Sequence, residues 1–486
     1  MTVRKATPID SHVVDILGST KGRDQPIMLM EKALLLVEQV GVDAFNDPNT
    51  VFFDPFCKAG EILLAAAIKL CVTKNKQKNF TSIEEITDDI YLSNRFFALA
   101  PDERHYLLSL RTFYGNERSH NTKFTKYIKN GNYLSEIDGN LKSEKFEKEF
   151  KAMVEFIKKI KPNSRIIAVG NPPYQEADEG FGGSAKAIYN FFTEKLMDSS
   201  QISEFVLVIP SRWFAVGKGV DDFREKILKS TEIKTLHYFK RSKDVFPTVD
   251  ILGGVCFFHY QKGFSGKTNF IEAGTSTEIN LSEFDIIPDD PKAYPLIRKI
   301  KKISNKFVSG IAWSRNPFGL SSTFFRDNAE YTKNDSKAIK CYSRGRKIKM
   351  TSINMIKKNK DKVDMWKVVI PSAYAPGSKQ GVRRVTLPKN QFFLIPKGEI
   401  TTETYSIINV FTSKAEAERF IVYLQTDFAR YFLGLRKITQ HVPKDRWDWV
   451  PLMDTSKTWT DIDLYNHFKI TKEEQEHIKK KVQEWS

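Results

Sequence analysis

Cysteine is scarce, four in 486 residues at positions 57, 71, 256 and 341, and no two stand in a Cys-x-x-Cys spacing. That scatter excludes a disulfide framework and a cysteine-built zinc site, and no metal is expected. No apolar run reaches the roughly 18–20 residues that a membrane-spanning helix needs, so no membrane partner is expected. The opening Met1 to Pro8 has no apolar stretch of the kind a secretory signal carries. Internal repeats and long low-complexity segments are also missing. What is present is 41% hydrophobic and 12% aromatic residues, enough to build packed cores and to exclude a disordered chain. The length exceeds what one core fills, so two domains are expected. Together these features describe a soluble, reduced, cytoplasmic protein.

Acid is the charge in short supply: 59 Asp and Glu face 76 Lys and Arg, a formal net charge of +17. The excess is a block. Residues 291–450 hold 32 basic and 12 acidic side chains. Its densest part, from residue 333 to 362, is interrupted by Tyr342, Ser343, Gly345, Ser352 and Asn354, the pattern of a folded surface with basic loops. Such a surface suits phosphates, because each neutralised phosphate releases a counterion. Candidate linkers are Gln261–Lys267 and the acidic Pro288-Asp-Asp-Pro291; the charge step coincides with the first and places the expected boundary at 262/263, giving domains 1–262 and 263–486. At the end of the chain, Thr471 followed by Glu474 reads as a capping box opening a charged helix.

The first half alternates short apolar runs with helical patterns. Strands are expected at Val51–Phe53, Arg95–Leu99, Arg165–Val169, Phe205–Ile209, Ile233–Phe239 and Gly254–Tyr260, and helices at Glu61–Val72, Lys145–Ile160 and Ile188–Met197. This is an α/β pattern of the doubly wound kind, in which ligands bind at the carboxyl ends of the strands. Two motifs stand at such ends. Asp54-Pro55-Phe56-Cys57-Lys58-Ala59-Gly60 is a glycine-bearing turn before a helix with a carboxylate beside it. Asn171-Pro172-Pro173-Tyr174 ends a β-run in an amide, two prolines and an aromatic ring. The prolines remove N–H donors, so the Asn171 Oδ1 and the Pro172 carbonyl make an acceptor pair and Tyr174 a stacking face. A planar group carrying an –NH2 fits that arrangement.

These two motifs resemble the cofactor turn and catalytic tetrapeptide of S-adenosylmethionine-dependent amino-methyltransferases, in the order of the γ-class DNA adenine-N6 enzymes of restriction-modification type. The likeness continues through Gly182-Gly183, Ile188–Phe192, Ile209–Phe214, Phe246–Gly254, Thr401–Tyr405, Leu435–His441 and Trp449–Pro451, covering most of the chain. It implies a Rossmann-like class I methyltransferase with a mixed sheet, followed by a mixed α+β target-recognition domain. It implies catalytic roles for Asn171, Pro172, Pro173 and Tyr174, and S-adenosyl-L-methionine as the cofactor. Cofactor contacts would come from Asp54, Pro55, Phe56, Cys57 and Gly60, from Thr7 or Pro26 ahead of them, and from Asp102. The substrate implied is adenine in double-stranded DNA, flipped from its stack. DNA contacts are expected from Arg344, Arg346, Lys347, Arg383, Arg384, Arg436, Lys437 and Gln440, and a separate cognate restriction endonuclease is the further partner the resemblance allows.

The sequence departs from that family in two places. Lys58 stands where a glycine is usual, and Phe97-Ala-Leu-Ala-Pro-Asp102 lacks the acidic residue that holds ribose, leaving Asp102 or Glu103 as substitutes. RNA, cytosine-N4 and glutamine-N5 methyltransferases share the tetrapeptide, although Asn171 favours adenine over cytosine and the basic second half is superfluous for a protein substrate. A DNA-binding module with a decayed cofactor site is the non-enzymatic alternative. No nuclease domain fits ahead of Asp54, and Pro288–Lys292 has the wrong spacing for a nuclease signature, so no cleavage is expected from this chain alone.

Overall fold

The structure, a computed structural model, describes residues 27–485 apart from 77–84, 135–140, 177–185, 216–218, 252, 333–334, 375–385 and 438–439. The chain divides into two compact units, Met1–Pro291 and Lys292–Ser486.

In the first unit nine strands form one sheet: β1 Thr50–Asp54, β2 Phe96–Ala100, β3 Ile128–Asn130, β4 Arg165–Gly170, β5 Ile202–Pro210, β6 Ile233–Phe239, β7 Val255–Gln261, β8 Thr268–Glu272 and β9 Thr275–Ile279. They lie in the order β3-β2-β1-β4-β5-β7-β6-β8-β9. The first five are mutually parallel, and β7 runs antiparallel between β5 and β6. This is the mixed Rossmann-like sheet expected. Strands β1 and β2 are buried at every position, as continuous apolar runs must be when helices cover both faces. The helix Glu61–Asn75 is buried at each of its first eight residues, which explains why its sequence is apolar all round rather than on one stripe. From β1 the chain winds outward through β2 and β3, then returns to β4 on the other side. The carboxyl ends of β1 and β4 therefore flank the point where strand order reverses, the place where such sheets open a crevice.

The expected domain boundary does not coincide with the compact units. Gln261–Lys267 is a connection within the sheet: the Lys262 N–H donates to the Ser203 carbonyl at 2.9 Å, and the Gly263 N–H to Glu232 Oε1 at 2.7 Å. Strands β8 and β9 then extend the same sheet, so the first unit runs to residue 291. The charge step marked a change of surface and not the end of a core.

The second unit carries two three-stranded sheets. One has the order β11-β10-β14, from β10 Ala338–Ser343, β11 Lys347–Ser352 and β14 Ile400–Thr401. The other has the order β13-β12-β15, from β12 Trp366–Pro371, β13 Phe393–Ile395 and β15 Tyr405–Phe411. Its closing helix, Lys472–Trp485, is capped as its sequence predicts: the Thr471 N–H donates to Glu474 Oε2 at 2.8 Å and the Glu474 N–H to Thr471 Oγ1 at 3.4 Å. Helix packing at Gly434 is close, since a Cβ there would lie 2.6 Å from the Trp485 ring. Part of the basic block is spent inside this unit. Lys367 is fully buried and donates to the carbonyls of Val363 (2.6 Å), Met365 (2.8 Å) and Pro396 (3.3 Å).

A buried ionic seam ties the centre of the first unit together. Glu204 on β5 is 1% exposed and faces His259 Nε2 on β7 at 2.7 Å, while Arg165 on β4 reaches its other oxygen. Burial acts to raise the Glu204 pKa, but the His259 hydrogen bond and the neighbouring charges of His259 and Arg165 outweigh it and hold the group below its usual range. A depressed carboxylate contributes stability above its unfolded pKa and loses it as pH falls through the folded value. Glu204→Gln is expected to destabilise the first unit by about 3 kcal/mol in urea unfolding near neutral pH, because it leaves the Arg165 guanidinium without its counter-charge. The deficit is expected to shrink at acid pH.

Candidate active site

Asp54 closes β1 and is 3% exposed; its Oδ1 accepts the Phe56 N–H at 2.9 Å, an Asx turn that folds the chain back over the strand end. The Pro55 carbonyl accepts the Tyr133 hydroxyl at 2.9 Å, and the Phe56 ring packs edge-on against Phe192 at 4.9 Å. The Cys57 N–H donates to the Leu99 carbonyl of β2 at 3.1 Å. Gly60, with φ +87°, opens the following helix, where a Cβ would lie 3.1 Å from the Ser109 carbonyl oxygen. Glycine is required there by both backbone and packing.

Asn171 follows the last residue of β4 and is 3% exposed; Pro172 and Pro173 are buried and Tyr174 half-buried. The Tyr174 hydroxyl donates to the Val208 carbonyl at 3.4 Å, its ring meets Phe246 edge-on at 6.4 Å, and its carbonyl accepts the Ile188 N–H at 3.1 Å. Ile188 and Phe246, from two runs singled out in the sequence, thus contact Tyr174 of the tetrapeptide. Gly170 connects the two motifs: a Cβ there would sit 2.8 Å from Asp54 Oδ1, so a side chain would fill the space beside the carboxylate.

The ionisable groups at these strand ends are displaced from their ordinary titration ranges. Burial raises the Asp54 pKa to about 8 and lowers that of Lys58 to about 7. Burial also raises Glu61, whose Oε1 accepts the Met28 N–H at 3.2 Å. Lys58 Nζ lies 3.5 Å from the Pro172 carbonyl and 5.5 Å from the centre of the Tyr174 ring. Sequence reasoning flagged Lys58 as a departure but not its reach across to the tetrapeptide. It passed over Glu61, which opens the helix after the Asp54 turn, and Gly170, which the register of β1 with β4 brings against Asp54.

Asp102 lies two residues beyond β2 and caps the helix Glu103–Arg118. Its Oδ1 accepts the His105 N–H at 2.9 Å and its Oδ2 stands 2.6 Å from His105 Nδ1. Burial favours its neutral form, yet His105 prevails and holds the carboxyl below its usual range. A ribose would have to compete with these bonds. Thr7 and Pro26 lie outside the described residues.

Of the expected DNA contacts, Arg344, Arg346 and Lys347 are exposed at the tip of the β10–β11 hairpin, where Ser343 pairs with Lys347. The Arg346 guanidinium lies 4.3 Å from the Phe393 ring centre, and the Arg346 backbone N–H donates to the Tyr405 hydroxyl at 2.7 Å. Gln440 is exposed. Arg436 and Lys437 require correction as surface contacts. Arg436 is 1% exposed, donates to the Asp445 carbonyl at 2.8 Å, pairs with Asp448 at 2.9 Å and covers Trp449 at 4.7 Å. Lys437 is 2% exposed, with its Nζ 3.0 Å from the Tyr374 carbonyl. Both hold the second unit together from inside. Arg383 and Arg384 lie outside the described residues.

Residues 94–246 match the family model described as Eco57I restriction-modification methylase, a span that includes the tetrapeptide and leaves the Asp54 turn outside. Over 246 residues the chain is 29% identical to an uncharacterized adenine-specific methylase of Mycoplasma pneumoniae (strain ATCC 29342 / M129 / Subtype 1), an alignment covering 46% of this chain and 54% of that one. The chain thus spans about half the length of this curated relative. Among solved structures, it is similar to the Type IIL restriction-modification enzyme MmeI in complex with DNA, at 12% identity and a TM-score of 0.43 over 85% of this chain and 64% of that one. It is also similar to a nuclease-deletion mutant of the Type ISP enzyme LlaGI, at 10% identity and a TM-score of 0.43 over 94% and 47%. The stretch around Asn171 is therefore similar to restriction-modification methylases, and the chain is similar to an adenine-specific methylase over part of its length.

Proposed function

We propose that the protein is a site-specific DNA methyltransferase that transfers a methyl group from S-adenosyl-L-methionine to N6 of an adenine flipped out of double-stranded DNA. It would act as the modification component of a restriction-modification system, with a separate endonuclease as its partner. The observation that carries this reading is the Asn171-Pro172-Pro173-Tyr174 tetrapeptide at the end of β4, beside the Asp54 turn at the end of β1.

The Asp54 turn suits the donor. The buried Asp54 carboxyl, which packs against Gly170 where a Cβ would not fit, would hold a cationic amino group. The bound donor supplies an electrophilic methyl group; the protein supplies position and polarity. An exocyclic adenine amine is a poor nucleophile because its lone pair is delocalised into the ring. Asn171 Oδ1 and the Pro172 carbonyl would accept its two hydrogens, drawing the nitrogen toward sp³ and freeing the lone pair. Tyr174 would stack on the extruded base. Such fixed acceptors act through positioning and electrostatics, and extrusion costs a few kcal/mol. The exposed hairpin Arg344–Lys347 would supply part of the phosphate contacts.

Incubation with labelled S-adenosylmethionine and duplex DNA, followed by identification of the modified base, is expected to yield N6-methyladenine. Label on cytosine, RNA or protein instead would replace this reading. Asn171→Ala is expected to lower transfer by roughly a hundredfold or more while DNA binding persists, and full activity in this variant would refute the assignment. Because burial raises the Asp54 pKa to about 8, and a cationic ligand favours the carboxylate, donor binding should release a proton. Donor affinity should accordingly rise as pH approaches 8, and Asp54→Asn should weaken binding and flatten that dependence; calorimetry in buffers of different ionisation enthalpy reads both. Arg344→Ala and Lys347→Ala are each expected to reduce the slope of log affinity against log salt by about one. An unchanged slope would remove the hairpin from the phosphate surface.

A further inference from the structure

Lys58 reaches from the turn after β1 to the tetrapeptide after β4 and is 6% exposed. Its amino group stands against the Pro172 carbonyl at 3.5 Å and over the Tyr174 ring at 5.5 Å. Those are the two partners that the proposed function gives to the target amine and its base: an N–H donor on that carbonyl, and a flat group on that ring. We propose that Lys58 is the resident occupant of the target-amine seat, and that the extruded base enters by displacing its amino group. This inference rests on the proposed function and adds to it how the seat is kept when no base is present.

Several observations converge on that exchange. The Pro172 carbonyl lies in buried surroundings, where an acceptor without a donor is costly, and Lys58 meets this need without a substrate. The distance of 3.5 Å lies at the long end of hydrogen bonding, and the ring contact is similarly distant, so the occupant is held loosely enough to leave. An arriving amine restores the same donor–acceptor bond, which keeps the exchange balanced. Burial lowers the lysine toward the neutral amine, the form that most easily gives up a site flanked by Tyr174, Asp54 and Glu61. Displacement is also required on electronic grounds, since an amino group left on the Pro172 carbonyl would compete for the acceptor strength that the target amine needs.

The test requires no methyl donor. Once the methylated adenine has been mapped, a duplex containing that site is bound by the protein alone. Permanganate reactivity of the thymine opposite the target then reports extrusion. Lys58→Met keeps the length and removes the amine, Lys58→Ala removes both, and Lys58→Arg keeps a donor. Extrusion at several-fold lower protein concentration in the methionine and alanine variants, with Lys58→Arg close to wild type, is the expected result. Either of the first two variants suffices if the other does not fold. Equal or weaker extrusion in a folded Lys58→Met or Lys58→Ala variant would overturn the inference while leaving adenine methylation by the wild type, and so the proposed function, in place. Absence of any mapped adenine would remove both together.

Discussion

The parallel pairing of β1 with β4, Val51 against Ile166 and Phe53 against Ala168, is the constraint on which the site depends. It sets two motifs more than a hundred residues apart at neighbouring strand ends, with the Asp54 carboxyl against the Cα of Gly170. Neither strand could slip by one residue without turning its side chains to the opposite face of the sheet. Because β1 is buried throughout and β4 at all but its first residue, the register is held by packing on each side.

The same burial shapes the chemistry. Asp54, Lys58 and Glu61 lie within one turn and the start of a helix, and desolvation moves each toward its neutral form. An apolar environment containing three ionisable groups is costly unless a charged ligand restores their balance. Under the proposed function, a donor carrying a positive amino group would restore that balance. Glu204 is equally buried but keeps its charge, because His259 and Arg165 already satisfy it. The contrast is between a buried carboxylate whose counter-charges are in place and three ionisable groups that burial drives toward neutrality.

Much of the first unit was legible because its strands are continuous apolar runs and its helices periodic. Ile233–Phe239 was read to the residue, and most other strand and helix ends to within one to three. The boundary at 262 was misplaced because surface charge and core membership are separate properties. Strands β8 and β9 are short and partly polar, and they belong to the sheet through backbone pairing that composition does not record. Arg436 and Lys437 misled for a related reason. A basic residue reads as surface until aromatic rings and carbonyls are found around it, and Trp449, Asp448 and Tyr374 come from other segments of the chain.

By itself the sequence determined the alternation of strands and helices, the two strand-end motifs and the chemistry their residue types permit. Backbone periodicity and side-chain chemistry are local properties, and local properties can be read in order along a chain. Tertiary structure alone decided that Gly170 leaves room for Asp54, that Asp102 caps its own helix, and that Lys58 lies against the Pro172 carbonyl. It also decided which cations of the basic block are exposed and which hold the second unit together. Each of these depends on distances between residues remote in sequence, which are set by strand register and packing.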